Sequence, residues 1–124
     1  MSTRQTRILV VDDNELNLKL LRRVLELEGH EVTAAESIAD AVRAIAETDP
    51  ALIVLDLQLP DGDGLDLARR LKRDPTGPSP AIVACTAGVM PGDRERALDA
   101  GCDAYVPKPI DTREFAQLVA SLTT

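Results

Sequence analysis

The alternation of two hydrophobic periods along the chain is the feature that most constrains its fold. Continuous apolar runs occupy residues 8–11, 52–55 and 81–85, and their shortness and β-branched content are typical of strands buried on both faces of a parallel sheet. Two weaker runs, residues 32–35 and 104–106, follow the same rhythm. We therefore predict five strands, with the two weaker ones at the edges of the sheet.

Each run is followed by a segment with the period of an amphipathic helix, in which apolar residues recur on one helical face. The positions predicted to be buried are Asn17, Leu20, Leu21 and Val24 in the first helix, Ile38, Ala41, Val42 and Ile45 in the second, Leu65, Ala68 and Leu71 in the third, and Phe115, Leu118, Val119 and Leu122 in the fifth. The fourth helix is predicted over residues 90–100.

Capping residues mark several helix ends. Gly29 and Gly101 are typical of the residue that ends a helix, since glycine readily adopts the left-handed conformation needed there. Ser37, with Asp40 three residues later, resembles the capping box at the start of a helix. Asp111 is predicted to cap the fifth helix in the same way. The chain is thus divided into five β-α units.

Five such units in strict alternation predict a three-layer α/β sandwich, because consecutive parallel strands need helical crossovers. We favour the flavodoxin-like strand order 2-1-3-4-5, which places the weaker strands at the edges. Pro107 supports this order, since proline has no N–H to donate within a central strand. With no linker or repeat, residues 1–124 are expected to form one domain without an output module.

Composition narrows the choice of function. Apolar residues make up 44% of the chain but aromatic residues only 2%, so the core is expected to be aliphatic. A formal net charge of −7 argues against direct nucleic-acid binding. The chain has neither a signal peptide nor an apolar run of membrane-spanning length, which predicts a soluble cytoplasmic protein. Cys85 and Cys102 are expected to be reduced, small apolar side chains.

Polar residues follow four of the predicted strands at their carboxyl ends, where open α/β sheets bind ligands. Asp12 and Asp13 follow the first strand, Asp56 the third, Thr86 the fourth and Lys108 the fifth. Each has a structural alternative, since an acidic pair can cap a helix, a threonine can stabilise a turn and a lysine can be solvated. Their joint placement at successive strand ends favours a functional site.

Three carboxylates at one edge repel each other unless a cation neutralises them. Oxygen ligands without histidine or cysteine favour Mg²⁺, with Mn²⁺ as an alternative. Lys108 and the cation would stabilise a phosphoryl group, and Thr86 would donate a hydrogen bond to it. Asp56 is the predicted nucleophile, because its strand is central and a carboxylate can form an acyl phosphate.

These residues lie in segments that resemble the receiver domains of bacterial response regulators. The segments are VVDDNELN (residues 10–17), LDLQLPDGDGL (55–65), CTAGVMPGDRE (85–95) and AGCDAYVPKPI (100–110). The resemblance covers nearly the whole chain, and four segments in the right order and spacing are highly specific. Within the family, the DDNELN start and the KPI ending look more like those of stand-alone cell-division regulators and hybrid-kinase receivers than those of DNA-binding members.

The resemblance implies a role for each site residue. Asp56 would accept a phosphoryl group from a histidine kinase, a phosphotransfer protein or a small phosphodonor. Asp12, Asp13, Asp56 and the backbone carbonyl of Gln58 would hold Mg²⁺. Lys108 would bind a phosphoryl oxygen, and its peptide bond to Pro109 would be cis. The domain would catalyse only its own phosphorylation and dephosphorylation, and would not be an enzyme in the usual sense.

The resemblance also implies a switch. Thr86 would move to the phosphoryl group while Tyr105 turns inward, altering the surface of the fourth helix, fifth strand and fifth helix for a downstream protein. Gln58 and Gly88 occupy positions that tune hydrolysis of the acyl phosphate, and Gly88 predicts no unusually long-lived phosphorylated state. The domain is expected to be a monomer, or a weak dimer when phosphorylated.

Two other functions remain open on the sequence. A receiver-like docking module would keep the fold without phosphoryl transfer, although the intact set of site residues argues against it. An aspartyl-phosphate phosphatase would use Asp56 as nucleophile but would need a second acid at the position of Gln58. A flavin carrier or nucleotide hydrolase is disfavoured, because the chain lacks the aromatic residues of the first and the phosphate-binding loop of the second.

Overall fold

The computed structural model describes residues 6–74, 80–86 and 92–123. In chain order, the strands are β1 (Arg7–Val11), β2 (Glu31–Ala35), β3 (Leu52–Asp56), β4 (Gln58–Leu59), β5 (Gly62–Asp63), β6 (Ala81–Thr86) and β7 (Ala104–Pro107). The helices are α1 (Glu15–Leu27), α2 (Ile38–Thr48), α3 (Gly64–Arg73), α4 (Asp93–Asp99) and α5 (Thr112–Thr123).

Five strands form one parallel sheet in the order β2-β1-β3-β6-β7. With β4 and β5 left out of the numbering, this is the predicted order 2-1-3-4-5, and the two weaker strands are its edges. β4 and β5 pair with each other as a separate antiparallel ribbon. The sequence did not predict this ribbon, because strands of two residues are too short to show a hydrophobic period.

The register of the sheet brings the strand ends to one level. Val11 pairs with Leu55 across β1 and β3, so the residue after Val11 lies level with Asp56. Asp56 in turn pairs with Cys85, one residue before Thr86. The polar residues at the carboxyl ends of three neighbouring strands are therefore side by side, as parallel pairing requires.

The core consists of two aliphatic layers, one on each face of the sheet. Successive strand side chains alternate between the layers, which explains the continuous apolar runs. One layer packs beneath α2, α3 and α4 and includes Leu9, Val11, Ile53, Leu55, Ile82 and Ala84. The other packs beneath α1 and α5 and includes Ile8, Val10, Leu52, Val54, Val83 and Phe115.

The buried face of α1 differs from the prediction. Leu18, Leu21 and Leu25 face the core, whereas Leu20 is 45% exposed and Asn17 is only half-buried. Leu21 is buried as predicted and Val24 is half-buried against the core, but Leu20 is not. The predicted face is shifted because α1 carries leucines on two opposite sides, so its apolar period fits more than one face. Leu16, on the outer side, is 76% exposed.

The other helices follow the prediction with smaller changes. In α2, Ala44 is buried and Val42 is 39% exposed, so the face is shifted from the predicted one. Leu71 of α3 is half-buried, while Phe115 and Val119 of α5 are fully buried. The structure begins α4 at Asp93, later than predicted, and residues 90 and 91 of the predicted helix lie outside the described residues.

The predicted caps are confirmed. Gly29, with φ of +91°, follows α1, and Gly101, with φ of +102°, follows α4. Ser37 Oγ accepts a hydrogen bond from the Asp40 N–H at 3.1 Å. Asp111 Oδ1 accepts from the Arg113 and Glu114 N–H groups at 3.0 and 3.1 Å.

Replacing Ser37 with alanine should lower the free energy of unfolding by about 1 kcal/mol, because the Asp40 N–H loses its side-chain acceptor. Urea unfolding followed by circular dichroism measures the change. A Ser37→Thr variant keeps a hydroxyl acceptor and should lose less than half as much. Equal losses in the two variants would show that the hydroxyl is not the stabilising group.

Cys85 and Cys102 are free and buried. Burial raises the pKa of the Cys85 thiol to about 12 and that of Cys102 to about 11, so both thiols stay protonated at neutral pH. Among the described helices, none is long and apolar enough to cross a membrane.

Candidate functional site

Three carboxylates meet at the carboxyl edge of the sheet. Asp12 directly follows β1, Asp13 is its neighbour, and Asp56 is the last residue of β3. One oxygen of each lies within 4.8 Å of the others. Asp12 and Asp56 are only 2% and 5% exposed, whereas Asp13 faces solvent. The structure thus brings together the acidic residues that the sequence singled out.

Lys108 lies between the two buried carboxylates. Its Nζ donates to Asp12 Oδ2 at 3.0 Å and to Asp56 Oδ2 at 3.2 Å. The Lys108 N–H donates to the Thr86 carbonyl at 3.0 Å, which extends the β6–β7 pairing by one residue and aims the lysine at the site. The Lys108–Pro109 peptide bond is cis, as the resemblance implied.

Backbone and amide groups also hold Asp12. Its Oδ1 accepts from the Asn14 N–H at 2.9 Å, and its Oδ2 accepts from the Asn17 amide at 3.4 Å. The side chain of Asn14 caps α1 by accepting from the N–H groups of Leu16 and Asn17. The alternative that the Asp12–Asp13 pair caps this helix is therefore wrong.

Asn14 and Asn17 are neighbours of the site that the sequence pattern did not predict. Both lie in the DDNELN segment, so a signal was present. The contact of Asn17 with Asp12 needs the first turn of α1, which brings an amide back toward a carboxylate five residues earlier. Only the helix geometry decides that contact.

The electrostatics of the site leave an excess of negative charge. Burial raises the pKa of Asp56, although the Gln58 N–H, which donates to its Oδ1 at 3.0 Å, and the charge of Lys108 oppose the shift. Burial alone would lower the pKa of Lys108, but its hydrogen bond to Asp12 and the charge of Asp56 outweigh burial and raise it. The site therefore contains one basic side chain, that of Lys108, and three acidic side chains, those of Asp12, Asp13 and Asp56.

This donor set fits a hard divalent cation. Carboxylate oxygens are the available side-chain ligands, and no imidazole or thiolate belongs to the group of candidate ligands among the described residues. Such oxygen sets suit Mg²⁺ or Mn²⁺. A divalent ion would also neutralise the charge that Lys108 leaves uncompensated.

The two residues of the predicted switch lie on neighbouring strands. Thr86 is 3% exposed at the end of β6, one residue beyond Cys85, which pairs with Asp56. Tyr105, in β7, is half-buried and packs against the core layer beneath α2, α3 and α4. Partial burial and the charge of Asp93 raise the pKa of its hydroxyl. Gly88 lies outside the described residues.

Comparison with known proteins decides the family. A family model described as the response regulator receiver domain matches residues 8–120. The chain belongs to the response regulator receiver domain family. Receiver domains are parts of two-component signalling systems and act as signalling proteins rather than as classical enzymes.

The receiver domain has similar relatives along nearly its whole length. It is 39% identical to the polar-differentiation response regulator DivK of Brucella ovis over 114 residues, which are 92% of this chain and 93% of the relative. DivK of Brucella anthropi is 38% identical with the same coverage. The predicted resemblance to stand-alone cell-division regulators is confirmed.

Solved structures share the fold. A response regulator receiver domain from Bermanella marisrubri is 30% identical, with a TM-score of 0.89 over 98% of this chain and 100% of that one. The BeF3-activated receiver domain of DrrB is 26% identical, with a TM-score of 0.86 over 96% of this chain and 97% of that one. The flavodoxin-like fold is thereby confirmed.

Proposed function

We propose that this receiver domain is a phosphorylation-dependent switch in which Asp56 accepts a phosphoryl group from a histidine kinase or a phosphotransfer protein. The observation that carries the proposal is the placement of Lys108 between two buried carboxylates, at 3.0 Å from Asp12 and 3.2 Å from Asp56. Burying three charges of this kind is costly for a fold, and a docking surface has no need of them.

Asp12, Asp13, Asp56 and the backbone carbonyl of Gln58 would hold Mg²⁺, or Mn²⁺ in its place. When bound, the cation supplies positive charge that neutralises carboxylate and phosphoryl oxygens. Of the carboxylates, Asp13 is the exposed one, which leaves a side of the site open to an entering phosphodonor.

The phosphoryl transfer is a substitution at phosphorus. A carboxylate oxygen of Asp56 attacks, a P–O bond forms, and the P–N bond of a phosphohistidine or the P–O bond of acetyl phosphate breaks. The leaving imidazole or acetate departs with the electron pair of that bond. Lys108 stays protonated because of its raised pKa and stabilises the negative oxygens of the transferred group.

Thr86 and Tyr105 would convert this change into a new surface. The Thr86 hydroxyl would donate a hydrogen bond to the phosphoryl group, and Tyr105 would turn further inward behind it. The surface of α4, β7 and α5 would then bind a downstream protein, with Arg94, Arg96 and Asp99 as candidate contacts. The resemblance to DivK, a named response regulator, supports a signalling partner over an enzyme substrate.

The proposal extends to the partners, the location and the oligomeric state of the domain. A net charge of −7 supports protein partners over direct nucleic-acid binding. We further propose that the domain acts in the cytoplasm as a monomer, or as a weak dimer when phosphorylated. The acyl phosphate is expected to hydrolyse without unusual protection.

Intact-mass spectrometry tests the proposal. The domain is incubated with acetyl phosphate and Mg²⁺, and we expect a mass gain of one phosphoryl group. Chelation of Mg²⁺ before the reaction should prevent the gain. No gain despite measurable Mg²⁺ binding would overturn phosphoryl transfer and favour a docking module that retains the receiver fold.

A further inference from the structure

The antiparallel ribbon of β4 and β5 begins two residues after Asp56 and places an acidic residue at its tip. Leu59 pairs with Gly62, which leaves Pro60 and Asp61 as the turn between the two strands. The carboxylate of Asp61 in this turn is bound to another part of the molecule, the N-terminus of α2. The ribbon is therefore a link between the acidic site and a second element.

The base of the ribbon is held at the acidic site. The Gln58 N–H donates to Asp56 Oδ1 at 3.0 Å. On the opposite strand, Asp63 Oδ1 accepts from the Leu65 N–H at 2.9 Å and so caps α3. Gln58 and Asp63 are directly paired across the ribbon. Any movement of the ribbon as a unit would therefore move the backbone of Gln58.

The tip of the ribbon is held at the N-terminus of α2. Asp61 Oδ1 accepts from the Ile38 N–H at 2.8 Å, and Oδ2 accepts from the Ala39 N–H at 3.1 Å. These hydrogen bonds lower the pKa of Asp61, so it is a carboxylate at neutral pH. Both oxygens are used, on partners 23 and 22 residues away in the chain.

Close packing accompanies these hydrogen bonds. Gly62 has φ of +153°, and a Cβ added to it would lie 2.9 Å from Ile38 Cδ1. A side chain at this position would displace the end of the Ile38 side chain, and the positive φ would strain it. The ribbon therefore approaches α2 closely at Gly62 as well as through the Asp61 side chain.

We propose that Asp61 is a positioning residue for the phosphoacceptor site. Its carboxylate fixes the ribbon against α2, and the ribbon in turn fixes the backbone of Gln58, whose carbonyl would be a ligand of Mg²⁺. The effect of this positioning on phosphoryl transfer to Asp56 rests on the proposed function. The mechanical link itself consists of contacts within the protein chain.

The test compares Asp61→Ala with Ser37→Ala as a matched control. Both variants remove side-chain acceptors from the N-terminus of α2, but Ser37 accepts from its own helix and has no bond to the ribbon. Titration calorimetry with MgCl₂ should give an affinity about tenfold weaker for Asp61→Ala, at the low end of losses for residues that support metal ligands. Ser37→Ala should bind Mg²⁺ as the wild type does.

Amide hydrogen exchange in Mg²⁺-free buffer supplies a readout that needs neither metal nor phosphorylation. The Gln58 N–H should exchange at least about threefold faster in Asp61→Ala than in Ser37→Ala, because local opening of the ribbon becomes easier. Asp61→Asn keeps one acceptor oxygen and should be intermediate. If Asp61→Ala does not fold, the exchange rate of the Gln58 N–H in Asp61→Asn tests the positioning role instead.

The outcomes separate this inference from the proposed function. Faster exchange at Gln58 in the Asp61 variants, beyond that in Ser37→Ala, supports the positioning role even if the wild type takes up no phosphoryl group. Exchange at Gln58 no faster than in Ser37→Ala overturns it and leaves Asp61 as a helix cap alone. Failure of the wild type to be phosphorylated overturns only the proposed function.

Discussion

Replacing Asp56 with asparagine should abolish phosphorylation of the receiver domain while leaving its fold intact. The amide is not a nucleophile at phosphorus, so no acyl phosphate can form. Asparagine has nearly the shape of aspartate, and its oxygen can still accept from the Gln58 N–H, which donates to Asp56 at 3.0 Å. Intact-mass spectrometry after incubation with acetyl phosphate and Mg²⁺ should show no gain in mass.

A measurement of stability distinguishes the loss of the nucleophile in Asp56→Asn from unfolding of the domain. Burial raises the pKa of Asp56, which means that its charge is unfavourable where it lies. The neutral amide removes that charge, so urea unfolding should give a free energy within about 1 kcal/mol of the wild type. Asp66→Asn is the control, since Asp66 is exposed on α3 and pairs with Arg69. A phosphoryl group on Asp56→Asn would show that another residue is the acceptor.

Replacing Lys108 with methionine should have the second-largest effect. Methionine keeps much of the apolar stem of lysine but cannot donate to the transferred phosphoryl group. Loss of one such donor typically costs about 100-fold or more in rate. The initial rate of phosphorylation by acetyl phosphate at saturating Mg²⁺ measures it. A wild-type rate in Lys108→Met would rule out phosphoryl stabilisation by this residue.

The same substitution should make stability depend strongly on Mg²⁺. Lys108 separates two carboxylates that are almost fully buried, and without it they face each other with no cation. In the presence of chelator we expect the free energy of unfolding to fall by roughly 3–5 kcal/mol, as for other broken buried ion pairs. Added Mg²⁺ should recover more stability in Lys108→Met than in the wild type.

Lys108→Arg is the matched control for both measurements. Arginine keeps the positive charge between the carboxylates, so the loss of stability in chelator should be much smaller than in Lys108→Met. Its planar guanidinium group presents its N–H donors in a different geometry from that of the lysine ammonium. The rate of phosphorylation should therefore still fall. Equal stability of the two variants in chelator would contradict the role of charge.

Much of the fold was predictable because hydrophobic periods are local properties of the chain. The central runs are continuous because their strands are buried on both faces, and the weak runs at 32–35 and 104–106 are the two edges. The helix caps at Ser37 and Asp111 were also predictable from the sequence, since their hydrogen bonds join residues two or three positions apart. Local spacing carries this information.

The face of α1 was not predictable by the same means. Leucines lie on two opposite sides of the helix, and the sheet chooses Leu18, Leu21 and Leu25 while leaving Leu20 45% exposed. The apolar period of α1 predicts that a helix forms, but it does not predict which of the two apolar sides faces the core. Packing against the strands and α5 makes that choice.

The sequence by itself determined the order of the β-α units and the polar residues at the strand ends, because parallel strands must bring their carboxyl ends to one edge. Only the tertiary structure decided how those residues touch. Lys108 reaches Asp12 across 96 positions of the chain, and Asp61 reaches α2 across 22 and 23. Such contacts depend on how whole elements pack, and no local spacing encodes them.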